Sequence, residues 1–214
     1  MKDRDELISA LSSNLQSVRP AANANAIALL WLLASVLYVV LITHWFGPIR
    51  ANALTQLMSV PRFSLEMIVG LAAITLAALA AFRAAIPGAL TPRFRTFAAF
   101  VMLVWLGGYV LGLVDPTLEP SMLGKRDHCY IETALYALPP AMIACYLCRR
   151  LYPLKPVNTA LRCGLAAGMI PALYMQVACM YIPSHILLFH IFPGLLIAVL
   201  TAAVALPWFA RLRL

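Results

Sequence analysis

Apolar residues in this chain do not alternate with polar ones. They gather into six blocks, near 26–46, 63–86, 96–114, 128–148, 161–181 and 185–208, separated by short polar or basic stretches. The last two blocks are the most telling. From Cys163 to Ala210 there is no Asp, Glu, Lys or Arg in 48 residues. A helix needs about 20 apolar residues to cross the hydrocarbon core, so this run holds two crossings. Strands of a membrane barrel would alternate over about ten residues, and no such alternation occurs. Backbone groups in lipid must be satisfied internally, which leaves helices. The pattern predicts an all-α polytopic membrane protein, a six-transmembrane-helix bundle at 26–214, preceded at 1–25 by a polar arm with one short helix.

The breaks between blocks carry turn chemistry. Gly47-Pro48 ends the first block, Pro87-Gly88 the second and Pro183-Ser184 the fifth. A connection of about 15 residues with Pro61 and Arg62 leads into the second block, whose Gly and Ala content favours close helix packing. A polar loop is expected at 115–127 and a basic one at 149–162. Pro139-Pro140 predicts a kink inside the fourth span. In the arm, Leu7, Ile8, Leu11, Leu15 and Val18 recur at helical spacing until Pro20. Asp3, Asp5 and Glu6 sit where a helix start favours negative charge. So short a helix is marginal alone in water, and its apolar stripe calls for a membrane surface or a protein partner.

Composition agrees with the pattern. The chain is 63% hydrophobic and 11% charged, against about a quarter charged in soluble domains. The formal charge of +8 could suggest nucleic acid, but the basic residues flank apolar blocks and form no patch, so no direct nucleic-acid contact is expected. The charge instead sets orientation. Six spans put both termini on one side. Twelve Lys and Arg fall on that side (Arg83, Arg93, Arg95, Arg149, Arg150, Lys155 and Arg162 among them) and four, Arg50, Arg62, Lys125 and Arg126, on the other. By the positive-inside rule both termini are cytoplasmic. The acidic, polar start is unlike a cleavable signal peptide, so the first block is expected to remain as an anchor in the bilayer.

That topology sorts the reactive side chains. Cys129 and Cys179 fall at the outer ends of spans four and five. Cys145, Cys148 and Cys163 fall at the inner end, and His44, His128, His185 and His190 all lie in the outer half. Two thiols with imidazoles on one face suit a thiophilic metal. An oxidising compartment equally suits a Cys129–Cys179 disulfide, and buried cysteines also pack as small apolar residues. Cys145-x-x-Cys148 resembles a redox motif but lacks the βαβ setting of one. Glu66 and Glu132 lie near span ends, with Arg62 and Lys125/Arg126 as expected partners. No phosphate loop or nucleophile–base constellation appears, so no enzyme activity and no required cofactor are expected. A quinone-linked thiol oxidoreductase and a small transporter remain as alternatives. The first needs outer cysteines closer in sequence, and the second needs charges deep in the spans.

Several motifs in order resemble the NrsF-like integral-membrane anti-sigma factors. They are Leu7-Ile8-x-x-Leu11 with Val18-x-Pro20, Pro61-Arg62-Phe63 with Glu66, and Cys129 before Leu138-Pro139-Pro140. Arg149-Arg150 with Pro153 and Pro156, then Cys179, and a closing Arg211-Leu212-Arg213 complete the set. The resemblance covers nearly the whole chain. It implies a bacterial inner-membrane protein whose cytoplasmic arm, through Leu7, Ile8, Leu11 and Leu15, holds an extracytoplasmic-function sigma factor. It implies that Cys129 and Cys179 are the sensing pair for heavy-metal or oxidative stress, with a transient thiophilic metal ion as possible ligand. A His often precedes the second cysteine in that family, where this chain has Ala178. His128 and His185 are the candidates to compensate.

Overall fold

The computed structural model describes residues 2–13 and 23–210. Its elements are α1 (Lys2–Ser13), α2 (Ala24–Phe46), α3 (Ala53–Ser59), α4 (Pro61–Ala84), α5 (Pro92–Leu111), α6 (Cys129–Arg149), α7 (Pro156–Ala178) and α8 (Pro183–Ile186). A wide π turn at Leu187–Ile191 joins α8 to α9 (Phe192–Ala210). No strand occurs among the described residues; the one β-bridge pairs Ser121 with Tyr181.

Six of these helical segments are long and apolar enough to span a membrane, α8, the π turn and α9 acting as one. Their 20 to 24 residues correspond to about 30–36 Å, matching a hydrocarbon core of about 30 Å. Leu30, Leu33, Leu37 and Leu41 run exposed down one side of α2, an apolar stripe of the kind that suits a hydrocarbon surrounding. Trp45 and Phe46 stand exposed where α2 ends, as aromatic residues do at a membrane interface.

The chain's own caps set the helix limits, and they shift several expected boundaries. Asn23 starts α2 by accepting from the amides of Asn25 and Ala26. Thr91 caps α5 through the amide of Phe94, with Pro92 in the first turn. The third span therefore begins at Pro92, not near 96, and carries Arg93 and Arg95 on its first turns. Pro156 likewise opens α7, so Arg162 lies in a helix and the basic loop shrinks to the few residues before it. The connection after α2 contains α3, which the block pattern did not predict. Pro139 and Pro140 sit inside α6, which stays helical through both. The indole of Trp31 donates to the Pro140 carbonyl at 3.0 Å.

α7 is the hub. Sixteen of its 23 residues are buried, whereas most of α5 is exposed at the bundle surface. The reason lies in its small residues. A Cβ on Gly164 would lie 2.7 Å from Ala198 Cα, one on Gly168 would strike the Gly194 carbonyl, and one on Gly194 would lie 2.6 Å from the Gly168 oxygen. Two small-x-x-x-small faces, Gly164/Gly168 and Gly194/Ala198, thus let the α7 and α9 backbones touch. The arm end of the bundle is tied by Arg83, which donates to Asn25 at 2.8 Å, and by Thr159, which donates to the Ala84 carbonyl at 3.4 Å.

In the arm, α1 exposes Leu7 and Ile8, and Leu11 lies in the same helix. Leu15, Val18, Pro20, Arg211 and Arg213 lie outside the described residues.

Candidate functional site

The far end of the bundle, opposite the arm, gathers the polar chemistry. Cys129 opens α6 and Cys179 caps α7, and antiparallel packing of these neighbours brings their sulfurs to 3.0 Å. Both thiols are free and buried. His185 Nε2 lies 3.6 Å from Cys179 Sγ. The donor atoms of Cys129, Cys179, His185 and His190 all lie within 4.8 Å of one another.

The π turn makes this possible. In a regular helix, residues five apart point about 140° away from each other. A π turn instead joins residue i to i+5 and brings the two imidazoles together, with ring centroids 5.0 Å apart. Pro193 supplies a sequence reason for the turn. Its missing N–H leaves the carbonyl four residues back without its helical donor, and its ring crowds that carbonyl. This favours a widened turn just ahead of it, although α6 and α7 hold Pro139, Pro140 and Pro171 without one. His185 also stacks on Phe189 at 4.7 Å.

His190 is fully buried and its orientation is fixed. The Thr133 hydroxyl donates to the Cys129 carbonyl at 2.8 Å, so its oxygen accepts from His190 Nδ1–H at 3.1 Å. The proton is thereby assigned to Nδ1. Nε2 is left as a bare lone pair, and it has no hydrogen-bond partner. Ligating histidines are held in this way by a second partner on the far nitrogen. The Cys179 thiol is held below the usual thiol range, first by its 3.0 Å contact with the Cys129 sulfur and then by His185 and His190.

The set fits a tetrahedral soft-metal site. Donors at about 2.0–2.3 Å from zinc stand about 3.3–3.8 Å from one another, so the sulfurs would part by under an ångström. A disulfide at about 2.05 Å would need them to close by about the same amount. Of the residues singled out from the sequence, the structure brings Cys129, Cys179 and His185 together here. His128 is not among them: it is exposed, just ahead of α6, beside a surface groove with Tyr38 and Phe46. His190 takes the fourth place, and only the proline three residues beyond it hinted at the distortion that turns it inward. His44 bonds the Val40 carbonyl and Tyr174 instead.

Two arginines wire the pair to the end of α2. The Cys129 thiol donates to the Arg126 carbonyl at 3.2 Å. The Arg126 guanidinium, packed where a Gly47 side chain would be, binds Glu132 at 2.6 Å and the carbonyls of Pro48 at 2.8 Å and Thr43 at 3.4 Å. Glu132 therefore pairs as expected, with Arg126. Arg50, in the same α2–α3 linker, donates its amide to the Ala178 carbonyl at 2.8 Å. Its guanidinium is buried between the rings of Phe63 and Tyr181, 5.7 Å from each, with no partner for any of its three nitrogens. Burial presses its pKa down while Tyr181 and Cys179 hold it up.

A second polar group lies nearby. Glu66 accepts from the hydroxyl of Thr117 and from Gln176, stands 3.8 Å from Arg62, and Gln176 in turn accepts from Tyr109 at 2.7 Å. At the opposite, arm end, the Cys163 thiol lies 3.5 Å from Cys148, with Cys145 buried in the same helix pair.

The family described as "Negative regulator of sigma F" matches residues 11–211. The chain belongs to this family. No curated relative and no solved structure matches it. The match spans the whole six-helix bundle and begins within α1, so the NrsF family is defined by the membrane domain as much as by the arm. Membership makes the chain a negative regulator of a sigma factor, with a sigma factor as partner. It is a regulatory role, and it is housed in a multi-pass helical protein.

Proposed function

We propose that this protein is an anti-sigma factor of the bacterial inner membrane, with both termini in the cytoplasm. Its arm at 1–25 holds an extracytoplasmic-function sigma factor, and metal or oxidative stress at Cys129 and Cys179 releases it. The observation that carries this reading is the convergence of Cys129, Cys179, His185 and His190 at the end of the bundle away from the arm. The exposed Leu7 and Ile8 on α1 offer the apolar edge that an amphipathic helix lays into a groove.

The route between the two ends runs through α2. A bound soft metal would draw thiolates and imidazoles into one sphere, and two-electron oxidation would join the sulfurs with loss of two protons. Either change moves Cys129 and Cys179 relative to one another. Arg126, under Cys129, grips the end of α2, and Arg50 grips the carbonyl beside Cys179. α2 runs straight from these grips to the arm. The signal must alter the two states of the sigma-binding arm unequally, or nothing is transmitted.

Two experiments test the proposal. Deleting residues 1–25 should abolish co-purification of the sigma factor that the full chain retains from cells expressing it; retained binding removes the arm from the mechanism. Cys129→Ser with Cys179→Ser should leave the sigma factor bound but deaf to cadmium and peroxide in a promoter–reporter strain. A normal response would exclude the pair.

A further inference from the structure

At the arm end, two cavities meet at the same two arginines. One, of about 250 Å³, is a mouth lined by Pro87, Gly88, Lys155, Asn158, Arg95 and Arg162. The other, of about 500 Å³, runs up between α4, α5 and α7 along Ala77, Ala80, Ala99, Met102 and Leu165, with Arg95 and Arg162 at its base. From Arg95 to Leu103 the groove follows α5 for about 12 Å, most of the depth of one leaflet of a core about 30 Å thick. The groove exists because α5 leans on α4 with few buried side chains of its own, so its inner side stays open along α7.

The charges at the mouth are unbalanced. Among the described residues, Arg95, Arg162 and Lys155 pair with no carboxylate, and the ion pairs formed are Arg62 with Glu66 and Asp115, and Arg126 with Glu132. Arg162 is steadied only by the Asn158 side chain at 3.0 Å. The mouth also receives the first turns of α5 and α7, whose amide ends favour an anion.

We propose that this double cavity binds one anionic phospholipid. Its phosphate sits on Arg95, Arg162 and Lys155, and an acyl chain lies in the groove between α5 and α7. Basic pockets between transmembrane helices suit anionic headgroups. The apolar lobe decides between occupants. A free phosphate would leave it empty. A carboxylate side chain at the mouth would not fill a lobe at hydrocarbon depth. A seated lipid would brace α5 against α7 beside Arg83, which ties α4 to the first turn of α2.

The test uses the full chain released from nanodiscs of mixed phosphatidylglycerol and phosphatidylcholine, with retained lipid counted by native mass spectrometry. Wild type should keep phosphatidylglycerol in clear preference. Arg95→Gln with Arg162→Gln should lower that preference about thirtyfold, the factor expected for two surface cations. Arg95→Lys with Arg162→Lys should restore it to within a few fold, which separates charge from misfolding. Ala99→Trp, which fills the groove without touching a charge, should also expel the lipid. Equal retention of both lipids by wild type overturns the proposal. So does loss of phosphatidylglycerol to millimolar inorganic phosphate with no effect of Ala99→Trp, which would mark a simple anion site. Zero-length crosslinking of Lys155 to Asp5 or Glu6 with no lipid retained would assign the mouth to the arm and overturn it equally.

Discussion

Replacing Thr133 with Val tests whether the imidazole of His190 is prepared for a metal or merely packed. The change keeps the shape of the side chain and removes one hydroxyl. That hydroxyl donates to the Cys129 carbonyl at 2.8 Å and accepts from His190 Nδ1–H at 3.1 Å. His190 is fully buried, so its Nδ1–H would lose its partner, at about 1–3 kcal/mol. The ring can escape that cost by moving its proton to Nε2, which then blocks the lone pair facing the thiols. Either way the metal-binding form loses its advantage. Second partners of ligating histidines are worth about 10- to 100-fold in affinity, or about 1.4–2.7 kcal/mol. Cadmium titration of the purified protein in nanodiscs against a chromophoric chelator measures this, with thiolate-to-metal absorbance reporting the sulfurs. Thr133→Val should bind about 10- to 100-fold more weakly, and Thr133→Ser should bind as wild type. If Thr133→Val matches wild type while Cys179→Ser abolishes binding, the assigned tautomer plays no part and the ligand set must exclude His190.

Other outcomes follow from the same geometry. Gly168→Ala puts a methyl group against the Gly194 carbonyl and should cost about 1–3 kcal/mol, read as a lower melting temperature in detergent. Gly107→Ala and Gly108→Ala, with nothing within 4 Å, should instead be neutral or stabilising by up to about 1 kcal/mol. Arg50→Met removes a buried cation that has no hydrogen-bond partner and leaves an apolar side chain between the same two rings, so the fold should be no less stable. The Cys179 thiolate, however, loses a neighbouring positive charge. Because that thiol is held below its ordinary range in the folded protein, the midpoint of its modification by a small methanethiosulfonate should move to higher pH; an unchanged midpoint would show that Arg50 does not act on the thiol. Cys148→Ala with Cys163→Ala should leave metal induction intact in the reporter strain, since those thiols lie at the arm end away from the sensing pair.

How much was legible beforehand divides along the range of the interactions. The six spans needed only composition over windows of about 20 residues, because lipid imposes one solution on any such apolar run. The ends of α5 and α7 were missed by several residues. Thr91-Pro92 and Pro156 announce helix starts, but Arg93, Arg95 and Arg162 made those turns read as loop. The Arg62–Glu66 and Arg126–Glu132 pairs were legible because each partner lies within six residues of the other. Topology put Cys129 and Cys179 at the same end of adjacent antiparallel helices, close enough to allow their meeting; the 3.0 Å contact came from the packing of α6 on α7.

The sequence by itself determined the class, the six crossings and the family, because these depend on hydrophobic run length and on motifs that local order preserves. Only the tertiary structure decided which histidine faces the thiols. His128 is the neighbour of Cys129 in sequence, yet it points away from the cluster, while His190, 61 residues from Cys129, is turned inward by the π turn ahead of Pro193. The contact of Gly168 with Gly194 and the aromatic enclosure of Arg50 likewise join residues that no local pattern links. Close approach between helices is set by what both faces lack, and that shows only once the two faces meet.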